Sequence, residues 1–189
     1  MNRSFFTICI GASTGGLPAL IKFFEHIPGD SQAAYIVAMH LLRDHRSLLD
    51  NILSKHAALP IIRVENDMPL EAGKVYLLVE NTTMIVQDSC LKIKVRDEGV
   101  VNSSVDSLFE SLAIDFREKA VGIILSGGGN DGLKGARKIA ELDGMVLVQD
   151  PVSAEAAGMP CSIINGDHPV AILKPFEIAQ AINKLLKHK

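Results

Sequence analysis

The sequence predicts an α/β fold, a doubly wound, mostly parallel sheet flanked by helices, with an antiparallel β-hairpin insertion, in a single domain. Short apolar runs alternate with segments whose apolar residues recur at helical spacing, which is the pattern of successive βαβ units. The chain has 189 residues, a length typical of one domain. Because 48% of the residues are hydrophobic, such a domain can form a core without disulfides or metal ions.

The first half of the chain alternates strands and helices. A continuous apolar run at 5–10 indicates a strand buried on both faces, and Pro18 suits the first turn of the helix that follows. The predicted elements of this half, in order, are a strand at 5–10, a helix at 17–27, a strand at 35–39, a helix around 48–53 and a strand at 60–64.

The middle of the chain departs from this alternation. Residues 74–79, 83–86 and 91–95 have strand-like composition, and the segments between them are too short for crossover helices. Parallel neighbours cannot be joined so briefly, so these three segments predict an antiparallel hairpin or meander. Ser103, with Asp106 three residues later, then indicates the N-terminus of a helix.

The second half returns to alternating strands and helices. Gly158 and Pro160 are interpreted as the stop of a short helix. The predicted elements are a strand at 120–125, a glycine-rich loop at 127–132, a helix at 133–142, a strand at 145–149, a short helix at 154–157, a strand at 170–173 and a terminal helix from Pro175.

Composition and charge exclude several function classes. The net charge is −3 and the isoelectric point is near 6.1, whereas nucleic-acid binders usually carry a basic face. No apolar run approaches the ~18 residues of a membrane span. The three cysteines, Cys9, Cys90 and Cys161, are too few and odd in number for a disulfide framework, which predicts reduced thiols and a cytoplasmic location. No Cys/His cluster has zinc spacing, so neither metal nor cofactor is expected.

The first glycine-rich turn contains a candidate nucleophile. Residues 11–15 read Gly-Ala-Ser-Thr-Gly, which satisfies G-x-S-x-G between a predicted strand and a predicted helix. Ser13 in such a turn can project its hydroxyl, and the N–H of Thr14 can stabilise an oxyanion. The alternative is a phosphate-binding loop, although the dinucleotide fingerprint requires glycine where Ser13 stands.

A candidate base and a candidate acid follow other predicted strands. His40 ends the second strand, and either a core histidine or a functional one accounts for it; His45 is the nearest rival base. Asp131 lies in the glycine-rich loop, where it can orient an imidazole or stabilise the start of a helix. Asp150 is the rival acid, and the loop at 127–132 can alternatively bind a phosphate.

The chain order Ser13, His40, Asp131 differs from the order in α/β-hydrolases and in the chymotrypsin-like and subtilisin-like enzymes. With its motifs, it resembles the catalytic domain of the chemotaxis protein-glutamate methylesterase family (CheB-type). The matching stretches run through nearly the whole chain in the family's order, at residues 10–16, 39–40, 103–109, 124–132, 149–150 and 158–160.

The resemblance implies a serine esterase with Ser13 as the nucleophile, His40 as the proton shuttle and Asp131 as the residue that orients His40. The implied reaction is hydrolysis of glutamate methyl esters on the cytoplasmic helices of chemoreceptors, with release of methanol; some members also deamidate receptor glutamines. The implied partners are the methylated chemoreceptor and a receiver or signalling domain, with no nucleic acid and no membrane insertion. The backbone of Gly127, Gly128 and Gly129 is a further oxyanion candidate.

Three departures from the family pattern concern the rim of the substrate site. Gly128 stands where the family usually has Met, residues 80–84 replace a Pro-Gly-containing stretch ending in His-Met, and Asn102-Ser103 replaces a basic residue and proline. The catalytic pattern begins by residue 5, so we expect one methylesterase-like catalytic domain over 1–189, with no receiver domain in this chain.

Two other functions fit parts of the same pattern. One is a non-catalytic α/β module that binds an anion or a nucleotide at its glycine-rich loops, which predicts saturable binding that stabilises the fold. The other is a divergent pseudo-enzyme that docks on receptor signalling complexes; the altered rim favours it, and the intact serine, histidine and aspartate argue against it.

Overall fold

The computed structural model describes residues 4–41, 45–96, 103–167 and 169–187, so that Asn102, one of the departures, lies outside the described residues. The strands are β1 (Thr7–Ala12), β2 (Ala34–Met39), β3 (Ile61–Val64), β4 (Met68–Pro69), β5 (Lys74–Leu78), β6 (Thr82–Gln87), β7 (Cys90–Val95), β8 (Ala120–Ile124), β9 (Met145–Gln149) and β10 (Ala171–Leu173). The helices are α1 (Gly16–Phe24), α2 (Leu49–Leu53), α3 (Ser104–Phe116), α4 (Leu133–Glu141), α5 (Gly158–Gly166) and α6 (Pro175–Lys187).

The main sheet has seven strands in the order β10-β9-β8-β1-β2-β5-β3, and all of its pairings are parallel. The chain runs from β1 outward to β3 and β5 at one edge, returns to β8 beside β1, and continues to β10 at the other edge. The direction of winding therefore reverses between β1 and β8. In open α/β sheets, ligands bind beyond the carboxyl ends of the strands at such a switch point.

The central strand β1 explains the continuous apolar run at the start of the sequence. Every residue of β1 is buried. Ile8 and Ile10 pack with α1 and α6 on one face of the sheet, whereas Cys9 packs with α3 and α4 on the other. A strand covered on both faces needs apolar residues at successive positions rather than at alternate ones. The predicted doubly wound, single-domain α/β fold is confirmed.

A small antiparallel sheet, β4-β7-β6, forms the insertion. Asp88 and Ser89 make the turn between β6 and β7 with φ values of 52° and 59°, which suits a tight hairpin. The sheet is tied to α3, because Ser111 Oγ accepts from Val86 N at 3.0 Å and Asp115 Oδ2 accepts from Ser89 N at 2.8 Å. The hairpin predicted at 83–86 and 91–95 is confirmed.

The prediction that residues 74–79 join the antiparallel group is wrong. Strand β5 lies between β2 and β3 and is parallel to both. The short spacer after β5 leads to β6, which lies in the other sheet, so the two strands are close in sequence without being paired. Burial of β5 from Val75 to Leu78 accounts for its apolar run.

The helix predicted at 154–157 is also wrong. Those residues lie outside any helix, and α5 begins at Gly158, the glycine interpreted as a stop. Pro160 lies in the first turn of α5, where the missing N–H has no partner within the helix to lose. In the described part of the chain, none of the helices has the length and apolarity that a bilayer span requires.

Candidate active site

Ser13 lies in the turn that joins β1 to α1, in the strand-turn-helix setting that its motif requires. The Ser13 carbonyl accepts from Gly16 N at 2.8 Å, and Gly15 has φ 71°, in the left-handed region that favours glycine. The side chain of Ser13 is half-buried. The turn therefore places a hydroxyl at the carboxyl edge of the sheet without burying it completely.

His40 follows β2, the strand that pairs with β1 in parallel. The backbone N–H of His40 donates to Ala12 O at 3.1 Å, which carries the β1–β2 pairing up to the residue before Ser13. Because the two strands end in register, Ser13 and His40 leave the sheet at adjacent positions. The structure thus places the candidate nucleophile and the candidate base on neighbouring strand ends.

The imidazole of His40 is bonded to Asp131, although 91 residues separate them in sequence. His40 Nε2 lies 2.7 Å from Asp131 Oδ2, and the side chains are 21% and 8% exposed, respectively. Because Asp131 occupies Nε2, the ring nitrogen that remains for a proton from Ser13 is Nδ1. Among the described residues no hydrogen bond joins Ser13 Oγ to the ring, and such contacts are often long when no substrate is bound.

The Asp131 carboxylate is also held by the N-terminus of α3. Val105 N donates to Asp131 Oδ2 at 3.1 Å, and Asp106 N donates to Asp131 Oδ1 at 2.9 Å. Helix N-termini carry unpaired N–H groups and a partial positive charge, so they stabilise an ionised carboxylate. Asp131 is therefore fixed in position and kept suited to stabilise a protonated imidazole.

The expected oxyanion donors divide into two groups. The N–H of Gly127 donates to Ala156 O at 2.9 Å, so the expectation that it binds an oxyanion is corrected. Among the described residues, no backbone hydrogen bond engages the N–H groups of Thr14, Gly128 and Gly129. A Cβ built on Gly127 would lie 3.0 Å from Ser13 Cβ, so the glycine loop passes directly against the candidate nucleophile. Thr14, Gly128 and Gly129 remain the candidates.

Two buried polar residues that the sequence analysis left without a role hold these loops together. Ser126 Oγ donates to Thr14 O at 2.7 Å and accepts from Ala156 N at 3.0 Å. Gln149 Oε1 accepts from Ser126 N at 2.9 Å. Both residues follow or end buried strands of the main sheet, and a polar residue at such a strand end is the signal that could have identified them.

Asp106 departs most clearly from its predicted role. Its carboxylate accepts from Gly132 N at 2.9 Å and from Gly135 N at 3.0 Å, at the start of α4 rather than at the start of its own helix. Burial raises the pKa of Asp106, backbone N–H groups of α4 oppose that rise, and the nearby charge of Asp131 adds to it. The rival acid, Asp150, caps a local turn by accepting from Val152 N, and His45 is exposed.

Comparison with known proteins identifies the family. The family model described as CheB methylesterase matches residues 8–182. The chain belongs to the CheB methylesterase family. The match includes the turn with Ser13, the strand end with His40 and the loop with Asp131, which are the positions that the site geometry brings together.

Individual relatives are also named as methylesterases. The chain is 33% identical over 181 residues to protein-glutamate methylesterase/protein-glutamine glutaminase 3 of Hahella chejuensis. This alignment covers 94% of this chain and 52% of that one. The chain is 29% identical over 185 residues to the protein-glutamate methylesterase/protein-glutamine glutaminase of Moorella thermoacetica, covering 95% of this chain and 44% of that one. The chain thus spans about half the length of these relatives.

A solved structure shares the fold. The crystal structure of the Thermotoga maritima CheB methylesterase catalytic domain superposes with a TM-score of 0.87 and 24% sequence identity. The alignment covers 97% of this chain and all of that one. The agreement shows that the whole described fold, including the hairpin insertion, is that of this catalytic domain.

Proposed function

We propose that this chain hydrolyses glutamate methyl esters on the cytoplasmic helices of chemoreceptors and releases methanol. The observation that carries the proposal is the hydrogen bond from His40 to Asp131 beside the Ser13 turn, in a chain of the CheB methylesterase family. The names of these relatives supply the substrate class, since they combine methylesterase and glutaminase activity on protein side chains.

The first half of the proposed reaction forms an acyl-enzyme. Ser13 Oγ attacks the ester carbonyl while His40 Nδ1 takes the hydroxyl proton. Asp131 stabilises the imidazolium that results, and free N–H groups among Thr14, Gly128 and Gly129 stabilise the oxyanion. His40 then gives its proton to the departing methoxide, which leaves as methanol.

The second half releases a glutamate side chain. Water attacks the acyl-enzyme, His40 takes a proton from that water, and Ser13 leaves with the proton returned. The same steps convert a glutamine side chain to glutamate, with ammonia as the leaving group. We extend the proposal to this deamidation because both relatives are named for both reactions.

The proposal includes the setting in which the reaction takes place. The protein substrate is the methylated cytoplasmic domain of a chemoreceptor, and a receiver or signalling domain is the regulatory partner. The location is the cytoplasm, where that receptor domain is found and where Cys9, Cys90 and Cys161 stay reduced.

Reaction with a fluorophosphonate tests the proposed nucleophile. We expect one adduct on the wild-type protein, mapped to Ser13 by mass spectrometry, because an activated serine attacks the probe. Ser13→Ala and His40→Ala should show no adduct, whereas Ser54→Ala, which replaces an exposed serine directly after α2, should react like the wild type. The wild type and Ser54→Ala should also release methanol from a methylated receptor fragment, whereas Ser13→Ala and His40→Ala should not.

The result that would contradict the proposal is a folded wild-type protein that gains no adduct, or one whose adduct persists in Ser13→Ala. Thermal unfolding of each variant shows whether it is folded. If the proposal is contradicted in this way, stabilisation by members of a nucleotide panel would support the binding-module alternative, because a ligand that binds the native state raises the unfolding temperature.

A further inference from the structure

Two carboxylates at the edge of the site exchange their helix partners. Asp131 precedes α4, yet its carboxylate accepts from backbone N–H groups at the start of α3. Asp106 lies in the first turn of α3, yet its carboxylate accepts from Gly132 and Gly135 at the start of α4. Each acid therefore binds the N-terminus of the helix associated with the other.

This exchange fixes the segment that carries Asp131. Gly132 directly follows Asp131, and its N–H donates to Asp106 Oδ1. The backbone N–H of Asp106 in turn donates to Asp131 Oδ1, so Asp106 is bonded to both Asp131 and the residue that follows it. Neither α3 nor α4 has a capping hydrogen bond from the side chain of its own N-cap residue, so these contacts take the place of local caps.

Two glycines also allow α3 and α4 to approach each other closely. A Cβ on Gly135 would lie 2.3 Å from Phe109 Cβ and 3.0 Å from the backbone oxygen of Asp106. Gly132 has φ 103°, in the left-handed region that favours glycine. Both glycines whose N–H groups bind Asp106 thus occupy places where a side chain would separate α4 from α3.

We propose that Asp106 is a positioning residue: through Gly132 and Gly135 it holds Asp131 at hydrogen-bond distance from His40. The inference rests on the proposed roles of Ser13, His40 and Asp131. Without the Asp106 carboxylate, the N–H groups of Gly132 and Gly135 lose their acceptor. The backbone that carries Asp131 is then no longer tied to α3 by this side chain, and Asp131 shifts relative to the imidazole. A displacement of about 1 Å in such a site can slow a reaction roughly 100-fold.

The test compares Asp106→Ala with Asp106→Asn. Asparagine keeps an oxygen at the Oδ1 position, whereas alanine removes it. We expect Asp106→Ala to react with the fluorophosphonate roughly 100-fold more slowly than the wild type, and Asp106→Asn to stay within a few-fold of it. Ile139→Val, in the buried face of α4, is the matched control for lost packing and should keep the wild-type rate.

A spectroscopic readout separates positioning from stability. With 15N-labelled histidine, the His40 proton on Nε2 should give a downfield NMR resonance, because it is hydrogen-bonded to a carboxylate. We expect this resonance in the wild type, Asp106→Asn and Ile139→Val, and its loss in Asp131→Ala and Asp106→Ala. If Asp106→Ala is unfolded, Asp106→Ser replaces it, because the shorter hydroxyl cannot bridge Gly132 and Gly135, and the same loss is expected.

Two outcomes have different meanings. If Ser13→Ala and Asp131→Ala react with the probe like the wild type, the proposed function is wrong. If both of these lose reactivity while Asp106→Ala keeps the wild-type rate and resonance, the positioning role is overturned and the proposed function stands.

Discussion

At the scale of single residues, the site depends on one carboxylate with three donors. Asp131 accepts from the imidazole of His40 and from the N–H groups of Val105 and Asp106. The alternative in which Asp131 stabilises the start of its own helix does not match this arrangement, because the helix that it contacts is α3. The carboxylate is thus held by neighbours far from it in sequence.

Adjacent glycines of the same loop should respond in opposite directions to alanine. A Cβ on Gly127 would lie 2.2 Å from Met159 Sδ, whereas one on Gly128 would meet nothing within 4 Å. We therefore expect Gly127→Ala to lower the free energy of unfolding by about 1–3 kcal/mol through overpacking. Gly128→Ala should raise it by about 0.4–1 kcal/mol, because it restricts the unfolded chain.

Urea unfolding of the two variants measures this difference, and each serves as the control for the other. Fluorophosphonate labelling should also slow in Gly127→Ala, since the new methyl group presses toward Ser13 Cβ at 3.0 Å. Equal unfolding free energies for the two variants would contradict the packing that we describe. The open space at Gly128 shows that the loop has room for a Cβ at this position.

At the scale of elements, an ion pair ties the edge of the sheet to the segment before α2. Arg63 on β3 donates to Glu80, which follows β5, with Nη2 and Oε2 2.8 Å apart. Glu80 Oε1 also accepts from Ser47 N, and the Ser47 hydroxyl accepts from Leu49 N at the start of α2. Arg63 and Glu80 are 15% and 11% exposed, so water screens the pair only partly.

The pair predicts a pH dependence of stability. Burial raises the pKa of Glu80, but hydrogen bonds from Arg63 and Ser47 outweigh it and lower the pKa from 4.5 to about 2. A group whose pKa falls on folding stabilises the protein above its unfolded pKa. This contribution is therefore complete above about pH 4.5 and is lost as the pH falls toward about 2.

Comparison with Glu80→Gln checks this expectation. At pH 7 the variant should be less stable than the wild type by about 2–4 kcal/mol, since it leaves Arg63 without its charged partner. The difference should shrink between about pH 4.5 and pH 2, as Glu80 is protonated in the wild type. A difference that stays constant across this range, measured by urea unfolding, would contradict the ion-pair argument.

At the scale of the whole molecule, the central strand joins two packed layers. Strand β1 pairs with β2 on one side and with β8 on the other, and helices cover both faces of the sheet. Cys9 in β1 is completely buried, and burial raises the pKa of its thiol well above its usual value. Alkylation of Cys9 therefore requires the main sheet to open.

Alkylation of Cys9 should report global stability. In a background with Cys90→Ser and Cys161→Ser, we expect Cys9 to react only through global unfolding. Phe109→Ala, which empties a buried site on α3, should cost about 3–5 kcal/mol and accelerate labelling by more than about 100-fold. Val152→Ala, at a residue that is 94% exposed, is the control and should leave the rate nearly unchanged.

The sequence determined the main architecture because its pattern is local. Continuous apolar runs indicate strands buried on both faces, and helical periodicity indicates the covering helices, so both can be read from neighbouring residues. The same local pattern located Ser13 in a strand-to-helix turn and His40 at a strand end. With the chain order of Ser13, His40 and Asp131, these features were enough to indicate the family.

Only the tertiary structure decided which partners meet across long distances in sequence. Strand β5 joins the parallel sheet because β2 and β3 lie on either side of it, which spacer length does not reveal. Gly158 and Pro160 lie in the first turn of α5, whereas the same residue types also end helices, so composition did not decide between the two. Asp131 and Asp106 exchange helix N-termini because packing places α3 against α4. Hydrogen bonds between distant segments depend on packing geometry, and local periodicity carries no information about it.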